Sequence, residues 1–418
     1  MYSRLLCIAM LFIILLSNGC QKLSNDPGGD NTTPEVDNGL IYWGGAYNDE
    51  GMAVVQTFDG GYAVAGSKYS ATNQADLVLA IFNSQLEHES DTTEGGLNGT
   101  YNNSAKDLIQ TSDGGYVLVG TTFNGTDDDV WVVKFNSSLA VTSQDTIRGA
   151  YDDVGSSIWE DGAGNYVVCG STYDGNDWEI ALWKFNRTVS PDSTVTLIYT
   201  SSNDGTDDYG SYAFQTEGDN GYVIVGKSWA TLTGYDVRLI NLTSAGETGA
   251  FDKTYTISGA DHFTNDEGIY VQRTSSLGFV VVGNTFHGGN ESNVFVLTTD
   301  KTGIEIGNEI LGRGNNDAAY CVRQIEGDNG YILVGSTYSR ESSMDDVWVV
   351  RLTNQLTTVW SQSYGASNKD VGTSISQTND GGFIITGYTY SYGNQSEILL
   401  LKIDGNGVVE DNSSDSSQ

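Results

Sequence analysis

Short apolar runs recur along the chain, separated by polar, Gly-rich segments of nearly constant length. Residues 110–136, QTSDGGYVLVGTTFNGTDDDVWVVKFN, show the unit. A strand ending near Gln-Thr precedes a Gly-rich turn. An aromatic residue opens a second strand, which ends on Gly. After a polar loop, an acidic residue opens a third, strongly apolar strand. Each run is β-branched or aromatic and bounded by Gly, Asn or Asp, as strands are.

The turn aromatics are Tyr62, Tyr116, Tyr166, Tyr222, Phe279, Tyr331 and Phe383, spaced 54, 50, 56, 57, 52 and 52 residues apart. A near-constant period of this size predicts repeat architecture. We name the three strands of each unit A, B and C. A fourth strand, D, falls between one C and the next A, as in 141–149, 193–201 and 357–365. Only a short polar segment follows the last C strand, whereas GLIYWGG at 39–45 precedes the first A. It resembles the D segment TVWSQSYG when Trp43 is aligned with Trp360. The N-terminal strand would therefore complete the last blade, which removes an exposed sheet edge. The expected fold is all-β: one seven-bladed β-propeller of four-stranded blades over 39–404, closed by the N-terminal strand.

The motifs Asp59-Gly60-Gly61-Tyr62, Asp113-Gly114-Gly115-Tyr116, Asp219-Asn220-Gly221-Tyr222, Asp328-Asn329-Gly330-Tyr331 and Asp380-Gly381-Gly382-Phe383 carry a family resemblance. They resemble uncharacterised bacterial lipoproteins built of DGGY-type propeller repeats, and more distantly kelch repeats. Kelch repeats place a Gly pair after the second strand, whereas here the pair precedes it. The resemblance implies a propeller and no particular activity.

Composition narrows the partners. The 418 residues carry a formal charge of −35, which argues against nucleic acid and anionic membrane surfaces, since both require a basic face. The 52 Gly and 3 Pro suit many tight turns. The cysteines, Cys7, Cys20, Cys169 and Cys321, form no disulfide framework or metal spacing. Cys169 and Cys321 fall in blades three and six, which are not neighbours, and are expected to be buried small hydrophobes.

Residues 1–20 read as a signal peptide: Arg4 precedes the apolar run 5–16, which is too short for a permanent span. Ser17-Asn18-Gly19-Cys20 resembles a bacterial lipobox, with Ser17 where Leu is usual. Lipidation at Cys20 would tether the protein to the bacterial outer membrane or cell surface, with the lipid as its only membrane contact. Residues 21–38 read as a flexible tether and 405–418 as a disordered acidic tail.

Two acidic series recur on the face formed by the D–A and B–C loops. Asp49, Asp153, Asp208, Asp266, Asp317 and Asp370, with Asn103, open the A strands. Asp76, Asp129, Glu179, Asp236, Asp346 and Glu397, with Asn293, open the C strands. They could bind a divalent cation or cap loops by accepting backbone N–H groups. No cofactor is otherwise required. The aromatics after strand B (Tyr69, Phe123, Tyr173, Trp229, Phe286, Tyr338 and Tyr390) could stack on sugars or wedge between blades. Function is expected where the repeat breaks. His262 and His287 fall on one face of blade five, near Asp266, a set suited to a transition metal. Asn203, Asp204, Asp207 and Asp208 loosely resemble calcium-loop spacing. The expected recognition surface is the D–A/B–C face of repeats four to six, with Trp229 and Tyr235 stacking, His262 and His287 polar or metal-binding, and Arg313 and Arg340 beside them.

The chain has no GxSxG elbow, P-loop or dinucleotide fingerprint. It is therefore read as a monomeric, non-catalytic binding or scaffold module for a glycan or protein partner. The alternative is an exported carbohydrate hydrolase using a carboxylate pair on the loop face.

Overall fold

The computed structural model describes residues 35–37, 39–72, 74–95, 102–189, 195–201, 205–231, 233–257, 264–287, 292–312, 316–338, 344–392 and 395–410. Among them, the regular elements are all β-strands. Six antiparallel sheets have four strands in chain order, and a seventh has five. The innermost A strands are Asp49–Gln56, Asn103–Gln110, Asp153–Glu160, Asp208–Gln215, Thr264–Arg273, Ala318–Gln324 and Asp370–Gln377. Each touches the next and the seventh touches the first. The chain is a closed seven-bladed β-propeller.

Blade seven runs from Asp370–Gln377 through Phe383–Thr389 and Glu397–Ile403 to Leu40–Trp43. The strand Leu40–Trp43 thus closes the ring, as its pattern predicts. The register corrects one alignment. Trp43 pairs with Ile398, and Tyr364 pairs with Val347, the residue of blade six that corresponds to Ile398. Trp43 therefore occupies the place of Tyr364, not of Trp360. Its ring is buried among Val54, Tyr62, Phe82 and Ile398, bridging blades seven and one.

A fifth strand, Glu35–Asp37, from the segment read as tether, pairs with Leu40–Tyr42. Residues 405–410, read as the start of the tail, continue the fold through a turn closed by Asp404 N–H donating to Val408 O and a bridge between Ile403 and Val409. Residues 1–34, with Cys20, lie outside the described residues.

The glycines of the repeat have separate causes. In the A–B turn, Gly60, Gly114 and Gly381 sit at φ of +92°, +83° and +83°, with Asn220 and Asn329 at +53° and +60° in the D-N-G variants. This is the left-handed region that Gly and Asn tolerate. The turn Asp accepts the N–H of the following Gly: Gly61, Gly115, Gly221, Gly330 and Gly382. A Cβ on any of those five would lie 2.3–2.5 Å from a strand-C carbonyl oxygen.

The Gly inside strand B does not end that strand, contrary to the sequence reading; strand Tyr62–Tyr69 continues past Gly66. It faces a β-bulge. Every A strand carries one at the same register: Gly51/Ala53, Ala105/Asp107, Gly155/Ser157, Gly210/Tyr212, Gly268/Tyr270, Ala319/Cys321 and Gly372/Ser374. A Cβ on Gly66, Gly120, Gly170, Gly226, Gly283, Gly335 or Gly387 would lie 1.7–2.0 Å from the opposed strand-A carbonyl oxygen. The bulge inserts one residue and turns it toward the axis.

Blades are also tied to each other by hydrogen bonds on both faces. On the A–B turn face, the last residue of strand A accepts an N–H from the preceding blade's turn: Phe58 to Gln110, Ser112 to Glu160, Ser275 to Gln324, Glu326 to Gln377 and Asn379 to Gln56. The last of these joins blade seven to blade one. On the opposite face, the residue before the strand-A Asp or Asn does the same in most blades. Ala75 donates to Asn102, Asp128 to Asp152, Trp178 to Asp207, Tyr235 to Asn265 and Ser396 to Asn48. The Gln-Thr of the repeat is thus a device for joining blades.

Candidate functional site

The strand-A acidic series is buried: Asp49, Asp266 and Asp370 are 0% exposed, and Asp208 and Asp317 are 1%. Its oxygens accept local donors. Asp49 takes Gly45 N–H (2.6 Å) and Tyr69 N–H (3.2 Å), and Asp266 takes Ile257 N–H (2.8 Å). Asp370 takes Ala366 N–H (2.9 Å) and the Thr389 and Ser391 hydroxyls. Asp317 takes Thr337 Oγ1, and Asp208 pairs with Arg238. The strand-C series behaves alike, with Glu179 accepting Ser201 Oγ and Asp236 accepting Thr233 and Thr256 hydroxyls at 2.8 Å. These contacts fit loop capping. Burial pushes Asp153 up to about 6 and Glu179 up to about 7, with neighbouring carboxylates adding to it. Among the described residues, no group of three His, Cys, Asp or Glu side chains is arranged to hold a metal ion. His262, Arg313 and Arg340 lie outside the described residues, and of His287 only the backbone is described, paired with Thr264. Cys169 and Cys321 are free and buried.

Trp229 and Tyr235 are opposed at the tip of blade four's B–C hairpin. Their rings meet edge to face at 5.0 Å, and Trp229 is 41% exposed. They are one end of a longer feature. Ring contacts run Trp229–Tyr235–Tyr209–Trp178–Tyr173–Tyr151, with successive centroids 5.0–6.0 Å apart. This arc of six rings crosses blades four and three on the D–A/B–C face. The Lys227 ammonium lies 4.9 Å from the Tyr235 ring centre and 5.2 Å from that of Tyr209, and its Nζ bonds Glu267 at 2.9 Å. Trp178, Tyr209 and Tyr151 belong to neither recurrent series, so the sequence signal for the arc was weak.

Trp178 and Tyr209 also border the central channel, whose cavity of about 680 Å³ is lined by residues from all seven blades. The bulge residues Met52, Lys106, Ser156, Ser211, Ile269, Tyr320 and Thr373 all face it. Sequence reading missed this ring. Its signal is positional: each residue stands three after the strand-A Asp or Asn. The type varies at every blade but one pair, between positions that barely vary. Below the bulges, Tyr270 donates its hydroxyl to Tyr212 at 2.9 Å, and their ring centres are 3.9 Å apart. The Arg323 guanidinium lies 4.6 Å over Tyr270, and its Nε donates to Ile375 O at 3.0 Å. Arg323 also borders a cavity of about 540 Å³ on the turn face, so it stands between the two. Asp107 accepts Leu108 N–H at 2.9 Å and Ile158 N–H at 3.0 Å, and burial raises it to about 6. Burial raises the Glu50 pKa and lowers that of Lys106, while each partly offsets the shift of the other.

No protein-family model matches the sequence, and no curated protein matches it. Solved structures do resemble the fold. A puromycin hydrolase S511A mutant complexed with PGG superposes with a TM-score of 0.53 at 11% identity, covering 88% of this chain and 54% of that one. The polysaccharide lyase Uly1 gives 0.52 at 10% identity, covering 85% and 90%. A protein of unknown function from Bacteroides caccae gives 0.42 at 11% identity, covering 70% and 91%. At these identities the likeness extends to the propeller alone.

Proposed function

We propose that this chain is an exported, lipid-anchored propeller that binds a glycan without turning it over. The binding surface is the D–A/B–C face. The observation that carries the reading is the arc of six rings, which offers a row of apolar faces beside hydrogen-bonding groups. Rings of this kind suit stacking against sugars. Trp229 and Tyr235 form its outer end, so the surface centres on blades three and four.

A hydrolase would need two carboxylates bracketing the scissile bond, one of them protonated. Burial raises Asp107, Asp153 and Glu179, but each accepts local donors: Leu108 and Ile158 N–H groups on Asp107, the Thr172 hydroxyl on Asp153 and the Ser201 hydroxyl on Glu179. That arrangement favours binding over turnover. A glycan array and a hydrolysis screen on the same purified protein test the reading. Trp229→Ala should lower retained glycan by about tenfold, the loss of about 1.4 kcal/mol that one exposed stacking contact supplies. Turnover of any glycan would replace this proposal with the hydrolase.

Export and anchoring rest on residues 1–20. Lipid on Cys20 would hold a monomer at the outer membrane or cell surface. The strand Glu35–Asp37 is antiparallel to Leu40–Trp43 and so begins at the D–A/B–C face. The tether would leave the ring on the side of the proposed binding surface. Cys20→Ala should move the protein into the soluble fraction; unchanged membrane association would defeat the lipidation reading.

A further inference from the structure

We infer that the central channel is a second binding site, built for a small ring-bearing carboxylate. It takes the ligand's acid group on Lys106 and Arg323 and its ring against the channel tyrosines.

Three cations, Lys106, Lys227 and Arg323, face the cavity together with three carboxylates, Glu50, Asp107 and Glu267, in a chain of net charge −35. Lys227 is neutralised by Glu267 at 2.9 Å. Among the described residues, neither Lys106 nor Arg323 forms a salt bridge at contact distance. Lys106 rises from the apex of the blade-two bulge, exposed to the lumen, and interacts with Glu50 through space only. Arg323 is held in place by Ile375 O through Nε and by the Tyr270 face. That leaves its two Nη groups as a fixed fork of the kind that binds carboxylates. Asp107 attracts Arg323 through space, while its hydrogen bonds go to Leu108 and Ile158 N–H groups. The corresponding oxygens in blades three and seven, Ser157 Oγ and Ser374 Oγ, accept Ala213 and Val54 N–H groups in the same way, so the Asp107 contact belongs to the ring's own framework.

The walls complete the fit. Tyr209, Tyr320 and Tyr388 line the cavity above the Tyr212–Tyr270 pair. They offer faces for a six-membered ring and hydroxyls for its substituents. The cavity, at about 680 Å³, is in the range of pockets for small molecules. The acid could be carried by a sugar ring or an aromatic ring, which share the chemistry the channel recognises. The channel shares Tyr209 with the glycan-binding face but not Trp229, whose replacement by Ala tests that face alone.

Titration calorimetry of the full chain with D-galacturonate, benzoate and D-galactose tests it. At least one of the two acids should bind, and galactose should bind at least tenfold more weakly. Galacturonate binding alone identifies a sugar acid, benzoate binding alone an aromatic acid, and either supports the site. Lys106→Met should weaken the bound acid at least tenfold with an unchanged thermal midpoint, because the lumen-facing amine makes no contact with another blade. Arg323→Gln is the less direct variant, since Arg323 also holds blade seven. Failure of both acids to bind, equal binding of galactose, or an acid affinity unchanged in Lys106→Met would each overturn the inference.

Discussion

The ring is closed by a strand with no covalent link to the sheet it completes, and Trp43 is the residue on which that closure most depends. It is 2% exposed, stacks on His88 at 5.0 Å and meets Phe82 edge-on at 6.1 Å. Both partners belong to blade one, whereas its backbone pairs with blade seven. Trp43→Ala removes an apolar surface of about 150–250 Å², worth about 4–6 kcal/mol by area. Unfolded-state compactness reduces such figures, and large-to-small core substitutions of this kind cost about 3–5 kcal/mol. A loss of about 4 kcal/mol is therefore expected in urea unfolding, with Trp43→Phe losing less. The loss should also be local at first. Limited proteolysis should cut the variant at residues 44–48 before any other loop, because freeing Leu40–Trp43 leaves the other six blades paired. If Trp43→Ala costs under about 1 kcal/mol, well below the core-substitution range, or if cleavage begins elsewhere, the N-terminal strand does not lock the ring.

Other expectations follow from particular contacts. Gly120→Ala would place a Cβ 1.7 Å from Ser104 O and should abolish soluble expression. Gly114→Ala meets no atom within 4 Å and carries only the φ +83° strain, about 1 kcal/mol in thermal unfolding. Gln110→Ala should cost about 1 kcal/mol by leaving Phe58 N–H without its acceptor. Stability should peak at mildly acidic pH. Asp107, Asp153 and Glu179 are raised to about 6, 6 and 7, so the folded state holds their protons more tightly and stability falls as pH rises through that range. Asp113 is lowered to about 2 by Thr111 and Lys134, so its contribution is lost as pH falls from about 4 toward 2. Urea midpoints from pH 3 to 8 check this, and a midpoint that rises from pH 5 to 8 would contradict it.

Blade count, strand type, turn positions and the closing strand were all legible in the sequence, because each depends on local chemistry repeated seven times. Apolar alternation marks a strand wherever it occurs, and Asp-Gly-Gly or Asp-Asn-Gly marks a turn that needs a left-handed residue. The candidate aromatics Trp229 and Tyr235 were legible for the same reason, as departures from a repeated position. What surrounds them was not. The bulge in strand A breaks the two-residue period, so whether Lys106 faces the blade or the axis cannot be counted from Asn103. It follows from an inserted residue seen only in the pairing of strands. The partners of Gln110, Asp107 and Trp43 lie in an adjacent blade, about one repeat away or at the far end of the chain, and ring closure alone brings them together. The arc from Tyr151 to Trp229 and the lining of the central channel likewise join residues from different blades, so their chemistry exists only once the ring has formed.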